Sequence, residues 1–394
     1  MLTKNIRLLS IFSFLVEFSL YTPVAIIYFS QVSGSYALGA SILGIVMLAS
    51  SIFEVPTGIW SDRMGRRKTV IFGSWAKVLS VVFYAIGLSY GWLVIGAILE
   101  GLSRAFYSGN NDALLFETLA DEGRSADYGK HLGKISSYEH FAMALGALLG
   151  GIIANFSFIW LFRISVIPQV VKLVISYGLK EPKSRKKDNG NIYSHILSAV
   201  RLFVKNPKLR LLSISDTVSF ATGEVGFQFR SVFLASLWPL WAIGLMGTLT
   251  HFIAGVSYYF SNQIIKLIGA EKVLLIRSIY GKLSGIIAYG FPSLYSPLIL
   301  ITPSVIYGAG QVAKNTLLQS EFTDYQRATM SSLNSLMSSL GFAIMSIVIG
   351  GIADILTPAR ALLTFQIISL PIILVYWKLF RDSQARPYVR RPLV

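Results

Sequence analysis

The chain has 394 residues, of which 54% are hydrophobic and 14% charged, and its mean hydropathy is +0.61. This composition excludes a disordered chain and is too apolar for an ordinary water-soluble domain, so bilayer-embedded helices are the expected class. The 35 lysines and arginines face 19 aspartates and glutamates, for a formal net charge of +16, and the absence of cysteine excludes disulfides and thiolate metal sites.

Long apolar runs follow one another along the chain, separated by short loops. A helix needs roughly 20 apolar residues to cross a hydrocarbon core about 30 Å thick, so this length accommodates about twelve spans. We expect them at 6–29, 38–60, 69–90, 92–115, 132–156, 159–177, 209–234, 240–267, 273–291, 298–318, 330–356 and 361–380. The sequence therefore predicts an all-α membrane protein.

A hydrophilic stretch beginning at Lys180 (KEPKSRKKDNGN) divides the chain near its middle. The apolar residues of 192–203 recur at helical spacing, which predicts an amphipathic helix on the membrane surface. Two short repeats flank the stretch: DYGK at 127–130 resembles DYQR at 324–327, and GGI at 150–152 recurs at 350–352. We expect a six-helix bundle at 1–180, a cytoplasmic linker at 181–207, a second, pseudo-symmetric six-helix bundle at 208–380 and a basic tail at 381–394.

Lysine and arginine concentrate in alternate loops and in the C-terminal tail, whereas the intervening loops carry only Arg360. Such asymmetry is typical of the positive-inside rule, which predicts that both termini are cytoplasmic in a bacterial cytoplasmic (inner) membrane. The scattered bases match no nucleic-acid-binding module, so we expect no nucleic-acid partner. Their expected partners are anionic lipid headgroups.

The loop after the second predicted span carries a fixed pattern of glycine, acid and bases (GIWSDRMGRR, 58–67). It closely resembles the G-x-x-x-D-R-x-G-R-R motif of the major facilitator superfamily. The resemblance implies two six-helix bundles that rock against each other, with this loop as a cytoplasmic gate. Its gate residues are Gly58, Asp62, Arg63, Gly65, Arg66 and Arg67. A small residue such as Gly58 also lets another helix approach closely, and a loop that serves only topology and folding is the alternative for the bases.

The fifth span contains AMALGALLGG (142–151), which partly resembles the superfamily's antiporter motif G-x-x-x-G-P-x-x-G-G. Gly146, Gly150 and Gly151 match, but Ala142 and Ala147 replace the first glycine and the proline. The partial match favours efflux. Ordinary helix packing by small residues is an equally good explanation.

Ionisable residues inside a bilayer are costly unless they are paired or hydrated, so each is a functional candidate. Glu17 lies about ten residues into the first span, close to the midplane, where a carboxyl group could load and release a proton. A structural hydrogen bond is the alternative for Glu17. The proton-coupling candidates are Glu17, Glu139, Asp216 and Glu224.

The resemblance implies that the first, fourth, seventh and tenth helices line a central cavity. Polar residues on these helices are the substrate candidates: Arg104, Asn110, Asn111, Gln228, Arg230, Gln311, Lys314 and Asn315. Two alternatives stay open. Glu100 and Arg104, four residues apart on one helix face, could neutralise each other, and Lys314 could pair with Glu17, Asp216 or Glu224.

No glycine-rich phosphate loop ending in Lys-Ser/Thr is present, so we expect neither ATP hydrolysis nor another enzymatic activity, and no cofactor or metal. The leading hypothesis is a monomeric secondary transporter that exports a small organic solute by alternating access, coupled to protons. One alternative is proton-coupled uptake of an anionic metabolite or a metal chelate. The other is a receptor or scaffold with a transporter fold that no longer transports.

Overall fold

The computed structural model describes residues 4–183, 207–320 and 327–385, and these residues are almost entirely helical. The helices are α1 (Lys4–Glu17), α2 (Ala25–Ser33), α3 (Tyr36–Met64), α4 (Arg66–Ile86), α5 (Tyr90–Tyr107), α6 (Asn110–Asp121), α7 (Tyr128–Phe156), α8 (Phe158–Gly178), α9 (Pro207–Leu234), α10 (Leu240–Tyr259), α11 (Ser261–Ile268), α12 (Ala270–Gly290), α13 (Ser296–Ile301), α14 (Ser304–Ser320), α15 (Arg327–Ile355), α16 (Pro358–Ile368) and α17 (Pro371–Ala385). The predicted surface helix at 192–203 and the end of the predicted tail, 386–394, lie outside the described residues.

Within the described ranges, ten helical segments are long and apolar enough to cross a bilayer. The fourth and seventh predicted spans fall on α5 and α9, which are helical over 18 and 28 residues but carry two and five charged side chains, respectively. All twelve predicted spans therefore correspond to helical segments in the predicted order. The all-helical, membrane-spanning architecture expected from the sequence is confirmed.

Several spans predicted as continuous helices are interrupted. The first breaks after Glu17 and resumes through a short 3-10 turn at Thr22–Val24, where Pro23 lacks the amide hydrogen that a continuing helix would use. The fourth breaks between α5 and α6 at Gly109, whose φ of +66° lies in the left-handed region that favours glycine. The tenth breaks at a proline in the turn between α13 and α14, and the twelfth breaks just before the proline that opens α17. Sequence hydropathy missed these breaks because it registers apolar length, not backbone continuity.

Each half of the chain packs mainly on itself. In the N-terminal half, α5 packs against α3 and α4, and α8 packs against α4 and α1. In the C-terminal half, α9 packs against α15, and α12 packs against α14, α16 and α17. The core of the N-terminal half contains a stack of buried rings that includes Tyr21, Tyr28, Phe29, Tyr84 and Phe162. Large aromatic side chains of this kind supply much of the packing between membrane helices.

The two halves meet through α3 with α15 and through α7 with α10. We call the end of the bundle at which α1 begins and α3 ends the motif end, and the other the opposite end. Toward the opposite end, small residues bring backbones together: Gly44 lies against Ala343, and Gly151 lies against Gly244. Small residues at such crossings are typical of membrane helix packing.

The motif-end half of α3 is much more open. Ile52, Val55 and Ile59 are exposed, and a Cβ added to Gly58 would find no atom within 4 Å. The close helix approach that we expected at Gly58 is therefore not present in this structure. The halves are packed together toward the opposite end and separated at the motif end.

The glycines of the fifth span have a clear packing role. Gly146 and Gly150 of α7 face the backbone of Ser19 and Leu20, where the first span is interrupted, and Gly151 faces Gly244 of the other half. Each position lacks room for a Cβ because main-chain atoms stand on the other side. The packing explanation of this segment thus rests on direct contacts.

We predict that Gly150→Ala destabilises the protein, because the added methyl group would overlap the Leu20 carbonyl oxygen. Overpacking of this kind costs about 1–3 kcal/mol, so the thermal unfolding midpoint in detergent should fall by several degrees. Gly351→Ala is the matched control, because nothing lies within 4 Å of a Cβ there. Equal destabilisation by both substitutions would contradict the packing role.

Candidate functional site

The gate motif forms a network of ionic and polar contacts at the motif end. Arg66 lies 3.3 Å from the Asp62 carboxylate and 3.2 Å from that of Glu117, and it donates a hydrogen bond to the Ser61 hydroxyl at 2.8 Å. A guanidinium group suits this role because its five donors can serve several acceptors at once. The structure therefore contains an ion pair between Asp62 and Arg66 within the motif.

Glu181 completes this network from beyond α8. Its carboxylate accepts the backbone N–H groups of Arg66 at 2.7 Å and Arg67 at 2.8 Å, at the first turn of α4. A carboxylate satisfies the free donors of a helix N-terminus and complements its partial positive charge. Gly65 permits the turn between α3 and α4, with φ of +104°. These contacts join elements of the N-terminal half with the first residue of the predicted linker.

Asn110, expected in the substrate cavity, belongs to the same network. Its side chain is buried, accepts a hydrogen bond from the Ser61 hydroxyl at 2.7 Å and donates one to the Arg66 carbonyl at 3.2 Å. The break at Gly109 turns the start of α6 toward the motif. Arg63 is exposed at the last turn of α3.

Glu100 is the centre of a buried charge cluster at mid-depth in the N-terminal half. Its Oε1 atom accepts hydrogen bonds from Lys77 at 2.6 Å and from Arg104 at 3.1 Å. Its Oε2 atom accepts a hydrogen bond from the Tyr21 hydroxyl at 3.1 Å, and Lys77 also donates to that hydroxyl at 2.8 Å. The pair of Glu100 with Arg104 that we considered is therefore present, but Lys77 is the closer partner.

Sequence reasoning missed Lys77 and a second lysine, Lys172. Lys172 lies on α8 with no exposed surface, and its ammonium nitrogen has no hydrogen-bond acceptor among the described residues. The nitrogen stands 5.1 Å from the centre of the Tyr107 ring, a cation–π distance. The available signal was a single lysine within each of the third and sixth predicted spans. They fell outside the helices that the resemblance assigns to the cavity.

Arg104 lies where the two halves face each other. Its side chain is 53% exposed, in contrast to the 6% of Glu100, its partner one turn earlier on α5. It lies within long-range electrostatic reach of Glu17 of α1 and of Glu224 of α9, beyond the distance of an ion pair. Gln228, one turn beyond Glu224, donates a hydrogen bond to that carboxylate at 2.9 Å. The structure thus brings predicted residues from three helices and both halves near one guanidinium group.

Glu17 is the last residue of α1, at the interruption of the first span. Thirteen residues of helical rise place it about 20 Å from the start of α1, which is well inside a hydrocarbon core of about 30 Å. Glu139 of α7 interacts electrostatically with Glu17. Interrupted helices at this depth are a recurring feature of transporter binding sites.

Glu139 lines a separate cavity of about 320 Å³ between α1, α6 and α7. Its polar lining also includes Ser13, Asn111, Asp112 and Ser136. Asn111, expected in the substrate cavity, therefore lines this cavity between α1, α6 and α7. The pocket combines two carboxylates with hydroxyl and amide groups, which is suited to water and protons.

The candidates of the C-terminal half are largely paired with one another. Lys314 lies 2.8 Å from the Asp216 carboxylate, so Asp216 is the partner present among the three that we considered. Arg230 donates to the Leu300 carbonyl at 3.0 Å, with its guanidinium carbon 4.7 Å from the Phe227 ring centre.

The last two candidates lie on α14. Gln311 donates a hydrogen bond to the Tyr307 hydroxyl at 2.9 Å, and Asn315 is exposed. In the part of the chain that the structure describes, no group of three or more His, Asp or Glu side chains is placed to hold a metal ion.

We predict that Lys77→Met lowers the thermal unfolding midpoint strongly, because it leaves the buried Glu100 carboxylate short of a charge partner. Removing one member of a buried pair costs about 3–5 kcal/mol, whereas removing both is far less harmful. The double variant Lys77→Met/Glu100→Gln should recover most of the loss. Lys378→Met, at an exposed position, is the control. A double variant less stable than Lys77→Met would contradict this role of the pair.

Comparison with known proteins identifies relatives that match most of the chain and others that match part of it. The uncharacterised MFS-type transporter YxaM of Bacillus subtilis (strain 168) is 20% identical over 343 residues, 84% of each chain. The uncharacterised MFS-type transporter MJ1317 of Methanocaldococcus jannaschii is 27% identical over 355 residues, 85% of this chain and 81% of its own. Multidrug resistance protein 2 of Bacillus subtilis is 28% identical over 152 residues, 37% of each chain.

Solved structures share the fold at low sequence identity. The nucleoside transporter NupG superposes with a TM-score of 0.82 at 15% identity, covering 96% of this chain and all of its own. A D-xylose–proton symporter superposes with a TM-score of 0.70 at 15% identity, covering 95% and 96% of the two chains.

A family model of the Major Facilitator Superfamily matches residues 7–325, which is most of the chain. The match contains the gate motif, Glu17 and the charged residues of α5, α9 and α14. The resemblance seen in one loop therefore extends over both halves. The protein is a multi-pass membrane protein that belongs to the Major Facilitator Superfamily, a secondary transporter of a small molecule.

Proposed function

We propose that this protein exports a small organic solute by alternating access, with proton movement through Glu17 as the driving reaction. The observation that carries the proposal is the position of Arg104, which is half exposed and lies within electrostatic reach of Glu17 in its own half and of Glu224 in the other half. A solute entering between the halves would meet a cation and two carboxylates at mid-depth.

Alternating access is supported by where the halves meet. The described hydrogen bonds that join them lie between the opposite end and the middle of the helices: those of Asp354 with the start of α3, Ser51 with Ser339 at 2.7 Å, and Thr248 with the Ala144 carbonyl at 2.9 Å. Contact on one side and separation on the other is the arrangement expected of one state of a rocking transporter.

Proton coupling is supported by the competition that Glu17 and a bound solute would have for the Arg104 guanidinium group. An ionised Glu17 attracts the Arg104 guanidinium, whereas a protonated Glu17 does not, so protonation changes the charge that a bound solute meets. A proton and a solute that share such a site influence each other's binding by the same factor. Glu139, Asp216 and Glu224 are the further coupling candidates, and Asp216 is engaged with Lys314.

Export is the proposed direction because one relative is named a multidrug resistance protein and the fifth span partly resembles an antiporter motif. We further propose that the motif end and both termini face the cytoplasm of a bacterial inner membrane, on the basis of the basic loops. The bundle would act as a monomer, with its bases close to anionic lipid headgroups.

The test is transport by the purified protein in liposomes that contain a pH-sensitive dye. Under an imposed pH gradient, we expect at least one solute from a panel of organic cations, organic acids, sugars and nucleosides to move together with a proton flux. Empty liposomes and liposomes without a gradient are the controls. Solute movement that is independent of the gradient would remove proton coupling, and no movement of any solute would remove the proposal as a whole.

We predict that Glu17→Gln abolishes accumulation driven by the pH gradient but retains exchange of solute between the two sides. A glutamine cannot carry the proton, yet it leaves the volume of the site and the rocking of the halves intact. Glu122→Gln, at an exposed carboxylate of the motif end, is the matched control and should behave as the unmodified protein. Undiminished accumulation by Glu17→Gln would exclude Glu17 as the coupling group.

Proton-coupled uptake of an anionic metabolite or chelate is the second candidate, favoured specifically by the exposure of Arg104. The other two bases among the substrate candidates, Arg230 and Lys314, are engaged within the C-terminal half. Uptake predicts that Arg104→Gln weakens transport of organic acids much more than transport of organic cations. Equal weakening of the transport of organic acids and organic cations would contradict an anion site at Arg104.

A further inference from the structure

Asp354 makes a set of contacts that neither the family motif nor the predicted cavity includes. It lies in the last turn of α15, and its carboxylate accepts three hydrogen bonds from the start of α3 in the other half. The Ser35 hydroxyl donates to Oδ2 at 2.7 Å. The backbone N–H groups of Tyr36 and Ala37 donate to Oδ1 at 2.7 Å and to Oδ2 at 3.0 Å. One carboxylate thus satisfies three donors across the boundary between the halves.

The first turn of a helix has N–H groups without partners inside the helix, and it carries a partial positive charge. A carboxylate placed there forms charge-assisted hydrogen bonds, which are roughly twice as strong as neutral ones. Ser35 also caps α3 itself by accepting the N–H of Leu38 at 3.3 Å. Asp354 therefore extends a cap that α3 already has, but it does so from the other half.

Among the described residues, the other hydrogen bonds between the halves involve only hydroxyl and carbonyl groups. The packing beside Asp354 is a close approach of two backbones: a Cβ on Gly350, one turn earlier, would collide with the backbone of Ala37. Gly350 brings α15 close enough to α3 for the carboxylate to reach the helix start. Asp354 is the charged group in a contact otherwise made by small and apolar residues.

The internal repeat makes this position distinctive. The segment 150–152 of the N-terminal half corresponds to 350–352 of the C-terminal half, so that Asp354 corresponds to Ala154. Ala154 is buried in the apolar core of its own half. The equivalent contact, between α7 and the start of α10, therefore has the close glycine packing without a carboxylate.

We propose that Asp354 is a gate residue of the transport cycle: its carboxylate holds the opposite end closed, and its release from the start of α3 accompanies opening of that end. This rests on the alternating access proposed above. In the open form, the three donors and the carboxylate form hydrogen bonds with water instead of with each other. Removing the charge would make the closed form less favourable relative to the open form.

The absence of cysteine makes the test direct, because one introduced cysteine reports without background. Ala40 is 1% exposed in the apolar cluster that joins the halves near the opposite end, so a cysteine there should react with a maleimide only when that end opens. Leu88 is 80% exposed at the same end, so a cysteine there reports general reactivity. The measured quantity is the ratio of the two labelling rates in purified, unmodified and variant protein.

We expect Asp354→Asn to raise the labelling rate at position 40 by about tenfold relative to position 88, the scale of one hydrogen bond to a charged group. Ser35→Ala, which removes one donor from the other half, should raise it less. Asp127→Asn is the matched control, because the Asp127 carboxylate is held at 3.0 Å by Arg124 within its own half. It should leave the rate unchanged.

The outcomes separate the gate from the transport proposal. Labelling at position 40 that proceeds equally in the unmodified protein and in Asp354→Asn would overturn the role of Asp354 while leaving alternating access in place. A position that stays unreactive in every protein would mean that the opposite end does not open, which contradicts alternating access itself. If Asp127→Asn accelerates labelling as much as Asp354→Asn, the effect is one of charge in general and the assignment fails.

Discussion

The structure depends on one constraint: a charge within the bilayer needs a partner of opposite sign or a hydrated surface, because no bulk water is available to stabilise it. The N-terminal half meets this requirement with Glu100, which serves Lys77, Arg104 and Tyr21 together. The C-terminal half meets it with the pair of Asp216 and Lys314. Each set of contacts lies entirely within its own half.

This division of contacts has a consequence for motion. Because these charges and the gate motif are satisfied inside each half, separating the halves does not strip them of their partners. The surfaces that must part are made of small residues, hydroxyl groups and the apolar side chains of the cluster that joins the halves, whose contacts are short-ranged and are lost over a small displacement. The carboxylate of Asp354 is the exception, and it lies where a single contact can influence which end is open.

Much of the fold could be predicted from the sequence, and less of the site. Apolar runs located the membrane-spanning helices because their length is set by bilayer thickness, and the loop around Asp62 indicated the family because its pattern is specific. The interruptions after Glu17 and at Gly109 were missed, since hydropathy does not detect a break between two apolar segments. Lys77 and Lys172 lie outside the helices that the family resemblance assigns to the cavity, although Lys77 is the single charge of the third predicted span and Lys172 shares the sixth only with Arg163.

The sequence by itself determined the number and order of the spans, the asymmetry of the basic loops, the family and the depth of each charged residue along its helix. Only the tertiary structure decided which charges pair, that Asn110 belongs to the gate motif and not to the central cavity, and which end of the bundle is closed. The physical reason is that position along a helix follows from residue number at about 1.5 Å per residue. A partner depends on the rotation and separation of two helices, which are set by packing between segments far apart in the chain.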